Sequence, residues 1–442
     1  MGKDLIYTEK YRPRFHFTAR KNWLNDPNGC VLFAGEYHLF FQHNPHGNEW
    51  GNMTWGHATS PDLVHWHELP CAILPYGGGD IFSGSAVVDW NNTSGLGDGI
   101  GPPIVAMFTH ARSPCEQALA YSIDKGRNWR VYNSGQYVVP NQGLDGYERD
   151  PKIFWHLNSR KWIMALWVKT NTVRFFTSDD LIHWSHASDF VGDGFWECPD
   201  LIELPVDGDV IDKRWVLNDA NFNYWIGTFD GKTFQPESGP FQGDFGANFY
   251  AAQTWNSTEN RVVQIAWMRG GEYPRMPFNQ QMSFPCELSL RKTSDGVRLY
   301  RLPVPEIESL YKETTEFRDM LLDIGQDLDT GIIAGLLDIE VEVELSSGAS
   351  FSVIVHGRSI TCGSEQITCL GNTAPLALKD GIIHFRLLID RTSIELFGNH
   401  GEVSMSSCFL PEREFTSVQC RADSAPVYVK SLIVHRLCSA WE

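Results

Sequence analysis

A short turn motif that recurs along the chain constrains its fold more than any other feature. SPDLVHW ends at Trp66, SIDKGRNW at Trp129 and SDDLIHW at Trp184, and a degenerate copy, FDGKTF, ends at Phe234. Each copy runs from Ser or Phe through a turn that contains Asp to an aromatic residue that opens the next strand. Because the copies lie roughly 50 to 60 residues apart, they indicate propeller blades built from short strands, about five of them before residue 295.

The rest of the sequence agrees with an all-β chain. Short apolar runs are separated by Gly, Pro, Asn and Asp, and helical periodicity is nearly absent. Residues 339–345 alternate between apolar and acidic side chains, a pattern with the period of two that is typical of sandwich strands. We therefore predict a five-bladed β-propeller over residues 1–300, a linker with a short helix over residues 301–317, and a β-sandwich over residues 318–442.

The composition narrows the classes of partner. Lys and Arg number 36 against 54 Asp and Glu, which gives a formal charge of −18 and disfavours nucleic acids and anionic membranes as partners. No apolar stretch is long enough to span a bilayer. The first residues are charged where a secretory signal needs an apolar core, so we expect a cytoplasmic protein or a secreted one whose signal was removed. A sandwich edge could pair with a second chain, which leaves monomer and homodimer open.

Cofactor motifs are missing from the sequence. The 10 Cys are scattered singly without a CxxC pair, which argues against a zinc site and favours reduced, buried thiols. No nucleotide or flavin motif is present either, so we expect neither a metal nor a cofactor.

Two acidic motifs in the predicted propeller contain aspartates. Asp26 in WLNDPNG precedes Pro27, which holds its backbone extended, and it is either a fixed nucleophile or the cap of an Asx-turn. Asp150 follows Arg149, whose cation should keep the carboxylate ionised. That pair either binds sugar hydroxyls or forms a structural ion pair.

A third acidic motif, WECPD, contains Glu197. Its neighbours Trp196 and Cys198 predict a surround of low polarity, which favours the protonated form that a general acid requires. The alternative is a carboxylate at a strand end in solvent. Asp26, Asp150 and Glu197 fall on different predicted blades, whose inner ends meet at the central axis. Together they predict a funnel lined by carboxylates, as glycoside hydrolysis requires.

Longer motifs in the same order resemble glycoside hydrolase family 32, which contains the invertases, inulinases and levanases. The resemblance covers nearly the whole chain. The motifs are WLNDPNG, YHLFFQHNP (37–45), FSGSA (82–86), ERDP, WECPD, FYAAQTW (249–255), MPFNQQMSFPCELSL (276–290) and SIELFGNHGEVSMSS (393–407).

The resemblance implies an exo-acting, retaining β-fructofuranosidase that releases terminal β-D-fructofuranosyl units from sucrose, inulin or levan. It implies that Asp26 is the nucleophile, that Glu197 is the acid/base and that Asp150 stabilises the transition state. The substrate-binding positions that it implies are Asn25, Gln42, Trp50, Phe82, Ser83, Arg149, Cys198, Tyr250 and Trp267.

Two departures from the family pattern lie near this predicted pocket. Asn248 precedes Phe-Tyr-Ala where many microbial members have Asp, which removes a charge. Arg269 and Glu272 stand in a segment where the family pattern is more aromatic. We expect both departures to affect the site beyond the fructose and to leave the three carboxylates intact.

The sequence leaves three alternatives to this function. A fructosyltransferase would use the same residues with a sugar acceptor in place of water. A non-catalytic carbohydrate-binding propeller would need to lack a carboxylate, but all three are present. A sialidase is suggested by SIDKGRNW, which fits the Asp-box, but the sequence gives no sign of the arginine cluster or the Tyr nucleophile of sialidases. Sucrose, inulin and levan share the terminal fructose, so the fructose pocket does not choose between them.

Overall fold

The computed structural model describes residues 7–258, 260–411 and 415–441. Strands dominate these residues, and the only helices among them are the short 3₁₀ helices η1 Tyr132–Gly135, η2 Pro305–Leu310 and η3 Asn399–Gly401. Within the same residues, no helix has the length and apolar character needed to cross a membrane. The all-β prediction is therefore confirmed.

The first half of the chain forms successive antiparallel meanders. Its strands are β1 Asn22–Phe33, β2 Glu36–Asn44, β3 Thr54–Ser60, β4 His67–Ile73, β5 Asp80–Val88, β6 Ile104–Ala111, β7 Glu116–Ser122, β8 Arg130–Val131, β9 Arg149–His156, β10 Lys161–Lys169, β11 Thr172–Ser178, β12 Trp184–Val191, β13 Asp200–Val206, β14 Asp209–Asn218, β15 Asn223–Phe229 and β16 Phe234–Gln242. The groups β1–β4, β5–β8, β9–β12 and β13–β16 each pair in sequence order.

A further group follows and returns to the first sheet. Its strands are β17 Tyr250–Thr254, β18 Val262–Trp267, β19 Phe278–Asn279, β20 Cys286–Thr293 and β21 Gly296–Pro303. Strand β19 pairs with β1 in parallel. Strand β20 pairs with β18, with β21 and with β13, which is the first strand of the β13–β16 group. Because this pairing merges two groups into one sheet, the count of five blades stays a prediction.

The first strands of these groups surround a central axis, as in a β-propeller. Side-chain contacts link β1, β5, β9, β13 and β17 into a ring. In order around the axis, the contacts join Asn28 with Gly84, Ser85 with Ile153, Lys152 with Asp200, Asp200 with Thr254, and Gln253 with Cys30. The ring brings the N-terminal ends of different strands to one mouth of the propeller.

The recurring motif forms a capped turn before the last strand of each meander. In the copy that ends at Trp66, Asp62 accepts hydrogen bonds from the N–H groups of Val64 and His65. The Trp66 indole donates to the carbonyl of Leu63 over 3.0 Å. The same indole-to-carbonyl bond closes the copies that end at Trp129 and Trp184. The motif is therefore structural, as its placement before β4, β8 and β12 shows.

The C-terminal part is a sandwich of two six-stranded sheets. Its strands are β22 Tyr311–Leu322, β23 Asp327–Ile333, β24 Leu337–Glu344, β25 Phe351–Val355, β26 Arg358–Cys362, β27 Gln366–Cys369, β28 Asn372–Pro375, β29 Ile382–Ile389, β30 Ser393–Gly398, β31 Val403–Cys408, β32 Ser417–Ala422 and β33 Val427–Leu437. The sheet orders are β22-β33-β24-β29-β30-β31 and β23-β32-β25-β26-β27-β28. Ile339, Val341 and Val343 of β24 are fully buried in the apolar core between the sheets.

The predicted linker, residues 301–317, contains η2 but is not free of sandwich structure. Strand β22 begins at Tyr311 and pairs with β33, so the sandwich sheet starts before residue 318. The tyrosine hydroxyl donates to Asp338, which draws the start of the strand onto the sheet. The domain limits themselves stay predictions.

A buried network of charges joins the propeller to the sandwich. Arg301 of β21 pairs with Asp244 at 3.0 Å and lies 3.8 Å from Glu395 of β30. His16 hydrogen-bonds Asp390 at 2.9 Å and Glu395 at 2.7 Å. Burial lowers the pKa of His16, but these two carboxylates outweigh that effect and raise the pKa to about 9.

Candidate active site

A cavity of about 620 Å³ opens at the mouth where the inner strands begin. Its lining residues are Asn25, Asp26, Gln42, Trp50, Phe82, Ser83, Asp145, Tyr147, Arg149, Asp150, Trp167, Trp196, Glu197, Tyr250, Trp267 and Arg269. Every site residue predicted from the sequence is in this set except Cys198. A cavity of about 520 Å³ lies at the other end of the same strands, and its lining lacks the three carboxylates.

Asp26 lies in a bulge of β1, where the pairing with β2 shifts register between Leu24 and Pro27. The amide of Asn25 donates to its Oδ1 atom over 3.1 Å, and the hydroxyl of Ser83 donates to Oδ2 over 2.7 Å. Burial raises the pKa of Asp26, and these two hydrogen bonds act in the opposite direction. The carboxylate is therefore fixed in orientation, with both oxygens held by donors.

Asp150 is the second residue of β9, has a φ of 65° and is buried. Its Oδ2 atom accepts a hydrogen bond from the backbone N–H of Cys198 over 3.1 Å. Burial raises the pKa of Asp150 to about 7 even though the Arg149 cation lowers it, and Glu197 and Asp26 add to the rise. The Arg149 cation, whose Nε atom is 3.8 Å away, favours the ionised form of Asp150 as predicted, but the effect of burial on the pKa is larger.

Glu197 lies in the loop before β13 with a φ of 52°. The Arg149 guanidinium contacts Oε1, and the Tyr250 hydroxyl donates to Oε2 over 2.7 Å. The prediction that this carboxylate lies in an environment of low polarity is wrong, because both of its oxygens have polar partners. Trp196 and Cys198 flank it in sequence, but they point to other neighbours.

Cys198 lies behind the carboxylates and outside the lining of the cavity. Its Sγ atom is 3.4 Å from Oδ2 of Asp150 and 3.9 Å from Oδ2 of Asp26. Burial raises the pKa of the Cys198 thiol well above its usual range, so the group stays protonated and donates to Asp150. A direct contact of Cys198 with substrate stays a prediction.

Backbone strain concentrates around these groups. Asp150, Glu197, Cys198 and Ala251 all have a positive φ, between 42° and 65°, which is unfavourable for residues with a side chain. Such strain persists where the surrounding structure holds it and is frequent at functional sites.

Two family models match the chain. The model of the glycosyl hydrolases family 32 N-terminal domain matches residues 16–303, and the model of the family 32 C terminal matches residues 354–436. The chain belongs to glycosyl hydrolase family 32. The family membership expected from the motifs is thereby confirmed.

Relatives and solved structures agree with the family 32 assignment. The chain is 38% identical to a levanase of Bacillus subtilis, over 98% of this chain and 72% of the levanase. It is 30% identical to the exo-inulinase inuE of Aspergillus ficuum, over 98% of this chain and 96% of the relative. The exo-inulinase structure from Aspergillus awamori superposes with a TM-score of 0.88 at 28% identity, covering 98% of this chain and 100% of that one. The structure of a Schwanniomyces occidentalis fructofuranosidase complexed with fructose superposes with a TM-score of 0.89 at 28% sequence identity. The match covers 99% of this chain and 100% of that one. The propeller and sandwich fold is confirmed.

The remaining predicted residues of this family 32 protein surround the carboxylates. The Arg149 guanidinium stacks on the Trp167 ring at 4.3 Å, and the Tyr250 and Trp267 rings are 6.0 Å apart. Trp50 is 57% exposed at the rim, with its ring 6.0 Å from that of Phe82. The Gln42 amide donates to the backbone of β5.

The sequence did not single out several lining residues. Asp145 and Tyr147 precede Arg149 closely, and their position beside the ERDP motif could have indicated them. Trp167 comes from β10, a strand whose apolar sequence carries no sign of a site.

The structure also shows that Asp150, Glu197 and Cys198 each place one potential ligand atom within 4.8 Å of the others. A cation there would compete with the Arg149 guanidinium, which already contacts Glu197.

Proposed function

We propose that this family 32 protein releases terminal β-D-fructofuranosyl units from sucrose or fructans by a retaining double displacement. The convergence of Asp26, Asp150 and Glu197 in one cavity is the observation that carries the proposal. The names of the relatives, levanase and exo-inulinase, support a fructoside as substrate. Two carboxyl groups that flank the scissile bond, one as nucleophile and one as acid, are what retaining hydrolysis needs.

In the first step, a carboxylate oxygen of Asp26 attacks the anomeric carbon of the fructosyl unit. The bond to the leaving oxygen breaks, and Glu197 gives that oxygen its proton. In the second step, Glu197 takes a proton from water, and the resulting oxygen nucleophile displaces Asp26 from the same carbon. Two inversions leave the configuration unchanged. Asp150 holds fructose hydroxyls while positive charge develops on the ring.

The shape of the cavity supports action at the end of a fructan chain. Behind the carboxylates, the space lined by Asp150, Cys198 and neighbouring strand residues has a volume of only about 10 Å³. This is about enough for one water molecule and far too small for a sugar unit. A pocket closed at its inner end accepts a terminal residue and excludes the middle of a chain, so we propose exo-action.

The experiment that tests the proposal measures fructose release from sucrose, inulin and levan by the wild type, Asp26→Ala and Glu197→Ala. Loss of the nucleophile or the acid should lower kcat by several orders of magnitude, about 4–7 kcal/mol of transition-state stabilisation. Asp179→Ala, which changes an exposed carboxylate of a turn, is the control and should retain activity. No fructose from any of the three substrates with the wild type would overturn the proposal.

The reaction products distinguish a retaining from an inverting reaction, and water from a sugar as the acceptor. With methanol added, a retaining enzyme forms methyl β-D-fructofuranoside, and the α anomer would contradict the double displacement. At high sucrose concentration, free fructose should exceed fructosylated oligosaccharides. A predominance of oligosaccharides would replace hydrolysis by fructosyl transfer, which uses the same three carboxylates.

A further inference from the structure

Arg269 is an exposed cation at the rim of the active-site cavity. Its guanidinium carbon lies 4.5 Å from the centre of the Tyr250 ring and 6.0 Å from that of Trp267. Among residues 7–258, 260–411 and 415–441, no carboxylate forms an ion pair with it. A guanidinium has five N–H donors and no acceptor, so this group presents unused donors to whatever enters the cavity.

The position of Arg269 corresponds to the leaving-group side of the proposed reaction. Glu197 protonates the leaving oxygen, so the released sugar faces Glu197. The Tyr250 hydroxyl donates a hydrogen bond to Glu197, and the guanidinium of Arg269 packs on the Tyr250 ring. Exposure increases outward, from buried Asp150 through a Glu197 side chain that is 20% exposed to Arg269 at the rim. The guanidinium therefore lies outside the fructose pocket, next to the group that is released.

Asn248 fixes the backbone of Arg269. Its side-chain amide donates to the Arg269 carbonyl over 2.7 Å, and its side-chain oxygen accepts from the N–H of Cys408 over 2.7 Å. Its own N–H donates to the carbonyl of Ser406 over 3.0 Å. Asn248 thus links strand β31 of the sandwich to the rim of the propeller cavity.

This arrangement needs an amide at position 248. An aspartate has no N–H to give to the Arg269 carbonyl, and it would place a negative charge beside a carbonyl oxygen. It would also offer a carboxylate to the Arg269 guanidinium. The next residue, Gly270, turns the chain at a φ of 88°, and a Cβ there would lie 3.4 Å from the Asn248 amide nitrogen. Asn248 and Gly270 together direct the Arg269 backbone along the rim.

We propose that Arg269 hydrogen-bonds the hydroxyls of the sugar unit on the leaving-group side of the scissile bond, and that Asn248 is its positioning residue. The ligand is a neutral sugar, and the guanidinium donates hydrogen bonds to its oxygens. The Tyr250 ring stabilises the cation through a cation–π contact. The inference rests on the proposed function, since it assigns the sugar that the same site releases.

The test compares substrates that share the fructosyl unit and differ in the leaving group. These are sucrose, inulobiose, levanbiose and methyl β-D-fructofuranoside, whose leaving group is methanol and has no further hydroxyls. For Arg269→Ala, the ratio of kcat/KM on at least one disaccharide to kcat/KM on the methyl fructoside should fall about tenfold or more, the loss expected for a hydrogen bond from a charged donor. The disaccharide with the largest loss identifies the preferred leaving sugar.

Two further variants make the outcome specific. Arg275→Ala removes an exposed cation from the same segment and should leave the ratio at its wild-type value. Asn248→Asp keeps Arg269 but removes the amide, and it should lower the same ratio. An unchanged ratio for all three disaccharides in Arg269→Ala would overturn the inference while fructose release by the wild type upheld the proposed function. A wild type that releases no fructose from any substrate would overturn both.

Discussion

The Ser83 hydroxyl donates a hydrogen bond to Oδ2 of Asp26 over 2.7 Å, so a residue of β5 orients the proposed nucleophile of β1. Ser83→Ala should lower kcat by about 10- to 100-fold, because a hydrogen bond to a charged group contributes roughly 1.5–3 kcal/mol. Steady-state kinetics on sucrose would measure the loss. Ser83→Thr retains a hydroxyl and should keep more activity than the Ala variant. Equal rates for Ser83→Ala and the wild type would show that Asn25 alone orients Asp26.

The Tyr250 hydroxyl should act as a fixed donor to Glu197. Burial raises the pKa of Tyr250, so the hydroxyl stays protonated over the working pH range. Tyr250→Phe removes the donor to Oε2 but keeps the ring under Arg269, and kcat should fall about tenfold. Tyr76→Phe is a matched control outside this cavity, since no partner of the buried Tyr76 hydroxyl is seen within the described residues. A loss of similar size in both variants would contradict a role specific to Tyr250.

Asp150 should reduce the stability of the fold at neutral pH. Its pKa in the folded state is about 7 against a usual value of 3.8, so burial penalises the ionised form. The penalty grows as the pH rises from about 4 to 7 and then stays constant. Asp150→Asn should therefore be more stable than the wild type by about 1–2 kcal/mol at pH 8, with little difference near pH 4, while activity is lost. Thermal unfolding at both pH values measures this, and a variant less stable than the wild type at pH 8 would contradict it.

Local sequence was sufficient for the features that depend on neighbouring residues in the chain. The turns that end at Trp66, Trp129 and Trp184 are closed by bonds within a few residues, so their repetition revealed the meanders. The alternation of β24 likewise revealed a sandwich strand. Asp26 and Asp150 could be predicted because each lies in a motif with its own local signal.

The electrostatics of the site could not be predicted from the sequence, because they depend on groups that the fold brings together. Arg149 adjoins Asp150 in the chain, but its guanidinium contacts Glu197, which is remote in sequence. Glu197 likewise has its partners on β9 and β17 and not among its neighbours. Trp167 carries no local signal at all, since only the assembled propeller places it beside Arg149.

His16 should make the stability of the protein depend on pH above neutrality. Its folded-state pKa is about 9 against a usual value of 6.5, so its contribution is complete below about pH 6.5 and is lost as the pH rises through 9. Burial raises the pKa values of Asp390 and Glu395, but the hydrogen bonds and charge of His16, together with backbone N–H donors, lower both pKa values on balance. Their contribution is lost only as the pH falls through those lowered values. The unfolding temperature should therefore be higher at pH 6 than at pH 9.5.

His16→Gln separates this contribution from other effects of pH. It leaves Asp390 and Glu395 buried without a cation between them, which should cost about 3–5 kcal/mol at pH 6. At pH 9.5 most of the wild-type imidazole has lost its proton as well, so the difference in unfolding temperature between variant and wild type should become smaller. His183→Gln changes a histidine that is 84% exposed and should follow the wild type at both pH values. A difference between His16→Gln and the wild type that is the same at pH 6 and pH 9.5 would mean that packing, and not the charge on His16, stabilises the junction of propeller and sandwich.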